Sequence, residues 1–177
     1  MSVIKWVSDP SHSSISFKVK HLMISTVTGH FEKFNVEVDT ETDDFNTAFS
    51  IAFTAEIGSV KTNSEDRDNH LKSSEFFYGE KFPQIKFEST FYQSEYDEVQ
   101  VKGNLTVRGV TKAVILSVDF GGITVDPYGQ TKAGFTIETK LSRKEFGLIW
   151  DTVTETGSVL VGDEVKIYGE IQLIKQA

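Results

Sequence analysis

The chain has no cysteine among its 177 residues, which removes disulfides, thiolate catalysis and every cysteine-based zinc or iron–sulfur site together. Proline is scarce, at 3 residues against 13 glycines, so the backbone has few fixed kinks and many positions suited to turns. No apolar run approaches membrane-spanning length, and the amino terminus, MSVIKWVSDP, has no apolar h-region and no cleavage site. The expectation is a cytoplasmic protein that does not span a membrane, or a periplasmic one if a leader has been removed. Positive charge is also in short supply: 18 Lys and Arg face 26 Asp and Glu, for a formal net charge of −8. Binding to phosphate backbones needs clustered cations, so no nucleic-acid partner is expected.

What the sequence has in quantity is alternation. Ile15, Phe17 and Val19 alternate with Ser16, Lys18 and Lys20, the period-two signature of a half-buried strand. The pattern returns at Phe34–Val38, Phe49–Ile57, Ile85–Phe91, Val99–Val107, Val114–Phe120, Ala133–Leu141 and Val165–Leu173. His21 to His30 reads as a connection, and SEYDE and DPYGQ read as turns. With no repeat and no linker-like break, this amounts to about eight meandering strands in a single domain over residues 1–177. Eight antiparallel strands close into a barrel wide enough for its own side chains or for one small ligand.

Two stretches break the alternation. Thr62 to Phe77, TNSEDRDNHLKSSEFF, reads as a short helix: Thr62 and Glu65 are spaced as a capping box, and Leu71, Phe76 and Phe77 supply apolar surface. Ser142 to Trp150, SRKEFGLIW, repeats that spacing with Ser142 and Glu145 and reads as a helical turn or irregular loop. The first stretch holds Asp66, Arg67, Asp68 and His70, the densest ionisable group in the chain. Arg67 can clamp a carboxylate or phosphate and His70 can share that ligand or a proton. The competing reading is an internal brace in which Arg67 ties Asp66 or Asp68 and a rim carbonyl.

Catalytic and metal signals are weak. His12, His21, His30 and His70 form neither an HxH nor an HExxH pair. There is no G-x-S-x-G elbow, no S-x-x-K and no glycine-rich phosphate loop. Asp39, Glu41 and Asp43 open like a calcium loop, but Asp44 stands where its glycine belongs and Ser50 where its glutamate belongs. The phenylalanines Phe17, Phe53, Phe87, Phe91 and Phe135 fall on alternating faces of separate strands and can meet inside one barrel, whether packed or hollow.

Several blocks, in order, resemble the YceI-like family of lipocalin-like polyisoprenoid-binding proteins. They are DPSHSSISFKVKHL with VTGHFEKF, NSEDRDNHLKSSEFF, FPQIKFEST, GNLTVRGVTK, and SRKEFGLIWD with LVGDEV, running from Asp9 to about Leu173. The family's R-D-x-H-L falls on Arg67, Asp68, His70 and Leu71, its early H-L on His21 and Leu22, its G-x-F on Gly29 and Phe31, and its R-x-(aromatic)-G-L on Arg143, Phe146, Gly147 and Leu148. Tyr78-Gly79 and Asn35 depart from the family pattern at turns. The resemblance implies an all-β, eight-stranded antiparallel lipocalin-like barrel, with a short helix after the fourth or fifth strand and a helical turn before the last.

It also implies an elongated apolar cavity for a long-chain amphiphile: an isoprenoid quinone, a polyprenyl phosphate or a fatty amide. On this reading the protein is a non-enzymatic lipid binder with no metal and no cofactor beyond the non-covalently held lipid. The expected ligand contacts are Phe17, His21, Phe31, Phe53, Arg67, His70, Leu71, Phe76, Phe87, Phe135, Phe146 and Trp150. The rival readings are an enzyme acting on a lipid head group and a filled-barrel stress-response interaction protein. An exposed sheet edge would support a homodimer.

Overall fold

The computed structural model describes residues 2–95, 98–152 and 160–177. The alternating stretches become antiparallel strands β1 (Ile4–Ser8), β2 (Ser14–His21), β3 (Ser25–Phe31), β4 (Phe34–Thr40), β5 (Ala48–Glu56), β6 (Val60–Lys61), β7 (Gln84–Glu95), β8 (Glu98–Val107), β9 (Val110–Val125), β10 (Thr131–Ser142) and β11 (Val161–Lys175). A helix, α1 (Glu65–Lys72), lies between β6 and β7. Part of the expected SEYDE turn, Tyr96 and Asp97, lies outside the described residues.

The sheet runs β1-β4-β5-β7-β8-β9-β10-β11, and β11 returns to β1. This is a closed eight-stranded barrel. β2, β3 and β6 prolong β1, β4 and β5 at one end, where β2 pairs with both β11 and β3, and β3 pairs with β6. Six strands precede α1 in the chain, and with β1 and β2 taken as one strand interrupted at Asp9 the helix follows the fifth. Closure leaves β6, two residues long and beside α1, as the sheet's free end among the described residues. That is a poor edge for a homodimer.

The interruption has a clear cause. Asp9 caps a 3-10 turn at Pro10–His12 by accepting hydrogen bonds from Ser11 N (3.1 Å) and Ser11 Oγ (2.9 Å). Its other oxygen meets Lys132 Nζ and His12 Nδ1, each at 2.8 Å. Lys132 and then His12 hold the Asp9 carboxyl far below the usual carboxylate range, against the opposing effect of burial. The amide of Asp9 still donates to Gln172 O at 2.8 Å, so register with β11 survives the excursion.

The stretch expected as a connection, His21 to His30, contains β3, paired with β2 from Ser16↔His30 to His21↔Ser25. Its polar threonines and serine hide the alternation, and only Val27, Gly29 and Phe31 mark the inner face. The turn between β2 and β3 places Leu22 at φ 52° and Met23 at φ 59°. An L-residue in that left-handed region costs about 1–2 kcal/mol, and hairpins that need it ordinarily use Asn-Gly or Asp-Gly.

One end of the barrel is filled. Phe45, on a 3-10 turn between β4 and β5, inserts against Trp6, Phe135 and Phe120 at ring-centroid distances of 4.7, 4.8 and 5.8 Å. Val36, Val38, Ala133, Ile171 and Leu173 complete the buried part of this cluster. Trp6 is wholly buried, and its Nε1 donates to Thr40 Oγ1 at 3.0 Å, so the indole's one polar atom is satisfied.

Candidate functional site

The other end is hollow. A cavity of about 540 Å³ runs from the aromatic plug to a mouth framed by α1, the tip of β2 and the start of β11. Its walls are aliphatic and aromatic. Apart from Thr139, its polar side chains (Lys20, His21, Ser64, Asp66, Arg67, His70 and Arg143) sit on α1 or at strand ends beside the mouth. The space persists partly because large rings lie along the wall. The Phe87 ring covers Gly103 so closely that a Cβ there would meet its Cζ at 2.5 Å.

Eleven of the twelve expected contacts line the cavity: Phe17, His21, Phe31, Phe53, Arg67, His70, Leu71, Phe76, Phe87, Phe146 and Trp150. Phe135 does not. It faces inward as its alternation requires, but lies at the plugged end, packed on Phe45 and on Phe120 (5.1 Å). Aliphatic lining residues such as Ile51, Leu105, Leu116, Ile137, Leu141 and Ile167 were not among those expected. Their signal was their place on the same alternating faces as the phenylalanines.

The helix is shorter than Thr62–Phe77, and its cap is Ser64, whose hydroxyl accepts from Arg67 N at 3.3 Å. Thr62 is occupied otherwise: its N and Oγ1 donate to Asp68 Oδ1 at 2.7 and 2.6 Å. Acidic residues in the first turn and Lys72 with His70 in the last complement the helix dipole. Only Leu71 within the helix is apolar. Phe76 and Phe77 reach the cavity from the turns after it, so the cover is the helix and those turns together.

Arg67 turns out to be mainly a brace. Its Nε donates to Thr62 Oγ1 (2.8 Å) and its Nη2 to Thr62 O (2.5 Å), leaving Nη1 without a partner among the described residues. Neither Asp66 nor Asp68 takes it. Burial pushes the Asp68 carboxyl up, but the two Thr62 bonds, aided by Lys61 and Lys72, outweigh this and leave it below its ordinary value. His70 bonds through Nε2 to Glu75 Oε2, and its ring meets Phe76 and Trp150 edge-on at 4.9 and 4.7 Å.

The second break forms a 3-10 turn at Lys144–Phe146. The expected Ser142–Glu145 box does not form: the turn begins after Arg143 with no side-chain cap, and Ser142 Oγ donates to Asp163 instead. Arg143, 4 % exposed, donates to Gly162 O (2.8 Å), Leu148 O (2.5 Å), Trp150 O (2.9 Å) and Val161 O (3.1 Å), with Asp151 at 3.6 Å. One guanidinium thereby ties the segment after the turn to β11. Gly147, at φ 81°, lets the chain reverse so that Phe146 and Leu148 both point inward.

The described residues contain no group of three or more His, Asp or Glu placed to hold a metal, and no helix among them is long and apolar enough to cross a membrane. Against known proteins, the model of the YceI-like domain matches residues 6–173. The chain belongs to the YceI-like family. A UPF0312 protein of Staphylococcus epidermidis is 39 % identical to this YceI-like chain over 165 residues, 92 % of each. The crystal structure of Burkholderia cenocepacia BcnA superposes with a TM-score of 0.80 at 21 % identity, covering 93 % of this chain and 98 % of that one. A polyisoprenoid binding domain from Saccharophagus degradans superposes with a TM-score of 0.69 at 10 % identity, covering 97 % and 98 %. At those identities the two structures establish the barrel as a shared fold.

Proposed function

We propose that this YceI-like protein binds one long-chain apolar lipid inside the barrel, tail inward and head group at the mouth, for storage or transport. Isoprenoid quinones, polyprenyl phosphates and fatty amides are the ligand types that fit this reading. The observation that carries it is the cavity itself: blind, apolar along its length, with polar side chains gathered at one opening. A tail burying roughly 400 Å² of apolar area at about 25 cal/mol per Å² gains on the order of 10 kcal/mol before ordering costs. Polar contacts then set orientation, and Nη1 of Arg67, without a partner among the described residues, is a donor for a head-group oxygen.

The polyisoprenoid-binding domain that shares this fold supports the same ligand class. The polar groups at the mouth favour binding over head-group chemistry. Arg67, Asp68 and His70 do not converge on a reacting centre: Asp68 is held by Thr62 and His70 by Glu75. A cavity of this size also speaks against the filled-barrel reading.

Native mass spectrometry of the purified protein, followed by organic extraction, is the direct test. The expected result is a co-purifying lipid, or uptake of added quinone or polyprenol with one-to-one stoichiometry. Homogeneous apo protein that takes up neither would remove this reading.

A further inference from the structure

Among the described residues, the tips between β8 and β9 and between β9 and β10 follow ordinary turn chemistry, and the tip between β2 and β3 does not. Between β8 and β9, Arg108 and Gly109 take positive φ; the second is glycine, and Arg108 is held by donating to Phe76 O at 2.7 Å. Between β9 and β10, Gly129 takes positive φ while the Asp126 carboxylate accepts from Tyr128 N and Gln130 N, each at 2.9 Å. At the tip of β2 and β3 the same backbone is built from Leu22 and Met23, with Ile24 following. Met23 is 57 % and Ile24 83 % exposed. The turn is closed by Ile24 N donating to His21 O at 3.2 Å. This is local strain combined with exposed apolar surface at Met23 and Ile24. Such violations mark functional sites.

The tip stands at the cavity mouth. Leu22 N donates to Leu160 O at 2.8 Å, and Leu160 N to Thr152 O at 2.9 Å, which brings the tip beside the segment carrying Ile149, itself 68 % exposed. His21, Trp150, Leu160 and Val161, the neighbours of these exposed side chains, line the cavity. Charge follows the same logic. In a chain of net charge −8, Ser14 to Phe31 carries Lys18, Lys20, His21 and His30 and no Asp or Glu. Lys18 and Lys20 are exposed on β2 behind the tip, while His30 lies at the far end of β3, 3.9 Å from Glu32.

We propose that the Leu22–Ile24 tip, with Ile149, is a docking surface for a phospholipid bilayer, holding the cavity mouth against the lipid from which cargo is taken or to which it is returned. This rests on the lipid-carrier reading for its purpose, but its chemistry is independent of it. A small apolar tip with Lys18 and Lys20 on the strand behind it matches the layering of a bilayer surface, acyl chains below anionic phosphates. An aqueous exit would expose the tail to water at every transfer, whereas a docked mouth would not.

Flotation with vesicles of phosphatidylcholine and phosphatidylglycerol tests the proposal, alongside quinone uptake measured from those vesicles and from detergent micelles. Two variants separate docking from folding: Met23→Ser with Ile24→Ser, and Leu22→Asn with Met23→Gly, which gives the turn its preferred residues. The second is expected to raise Tm by a few degrees. Both are expected to lower vesicle partitioning by about tenfold or more and to slow uptake from vesicles, with uptake from micelles unchanged. Wild-type protein that takes quinone from micelles yet does not float, or variants that float like wild type, would overturn the docking surface and leave the carrier reading intact. A tip that captures a protein while wild type ignores vesicles would also overturn it. Failure to take quinone from either source would instead remove the carrier reading, and flotation of the variants would still decide docking.

Discussion

The ring of Phe17 lies across Gly29, its cross-strand partner, so closely that a Cβ on the glycine would meet Phe17 Cζ at 2.3 Å. Phe17 is therefore spread along the wall, and the glycine is what allows it. Gly29→Ala is expected to push the ring into the lumen, destabilising the fold by about 1–3 kcal/mol and weakening lipid uptake. Adding Phe17→Leu should restore part of both losses. Urea titration and ligand titration on the two variants check this, and equal behaviour of Gly29→Ala and wild type would contradict the ring placement.

Phe53 and Phe135 look alike in sequence but have different neighbours. Phe53 lines the cavity and packs on Phe34 at 6.2 Å, so Phe53→Asp puts a carboxylate on the wall where the proposed tail would lie. Uptake should fall below detection. Phe135→Ala opens the plug instead, with an expected loss of about 3 kcal/mol in stability and little change in affinity. The same affinity loss in both variants would mean that the tail reaches the plug.

Acid should loosen the base of α1. The Asp68 carboxyl lies below its ordinary value of 3.8 in the folded protein, so the unfolded chain binds its proton first as pH falls. Its contribution is complete above that ordinary value and disappears as pH drops through the lower folded value. Asp68→Asn keeps an acceptor for Thr62 but no charge. At pH 7 it should be less stable by about 1–2 kcal/mol, with the gap closing on acidification below about pH 4. Denaturant midpoints across pH test this, and a gap that widens in acid would reverse the assignment.

Arg143→Lys retains the charge but not the geometry. A single ammonium cannot reach Gly162, Leu148, Trp150 and Val161 carbonyls at once. The expected cost is about 3 kcal/mol, with faster amide exchange in residues 148–152. Exchange confined to wild-type rates would show that the brace is dispensable.

The barrel was legible because alternation is written residue by residue. The eight long strands carry it in Phe17, Phe53, Leu105 and Ile167 alike. β3 is hidden in the sequence because Ser25, Thr26 and Thr28 are exposed and Gly29 sits where a larger apolar residue would show the inner face. Periodicity gives the face of a strand but not the depth along the barrel axis, so the sequence alone does not separate Phe135, at the plug, from Phe53, at the cavity. The mouth was harder still. Thr62 carries the right spacing for a cap, but its hydroxyl is already committed to Asp68 and Arg67, and only the three-dimensional contacts show that Ser64 takes its place. The Leu22–Ile24 tip, with Met23 and Ile24 exposed, reads in sequence as ordinary loop, since nothing there announces positive φ.

The plug built around Phe45 makes the barrel a vessel with one door. On the proposed function a guest would enter tail-first and leave head-first, and no second molecule could push it through from behind. Exchange would proceed by withdrawal and replacement at the same opening. A tail longer than the vessel is deep would stay partly outside, next to its own head group, so the distance from Trp6 to the mouth would act as a gauge of chain length.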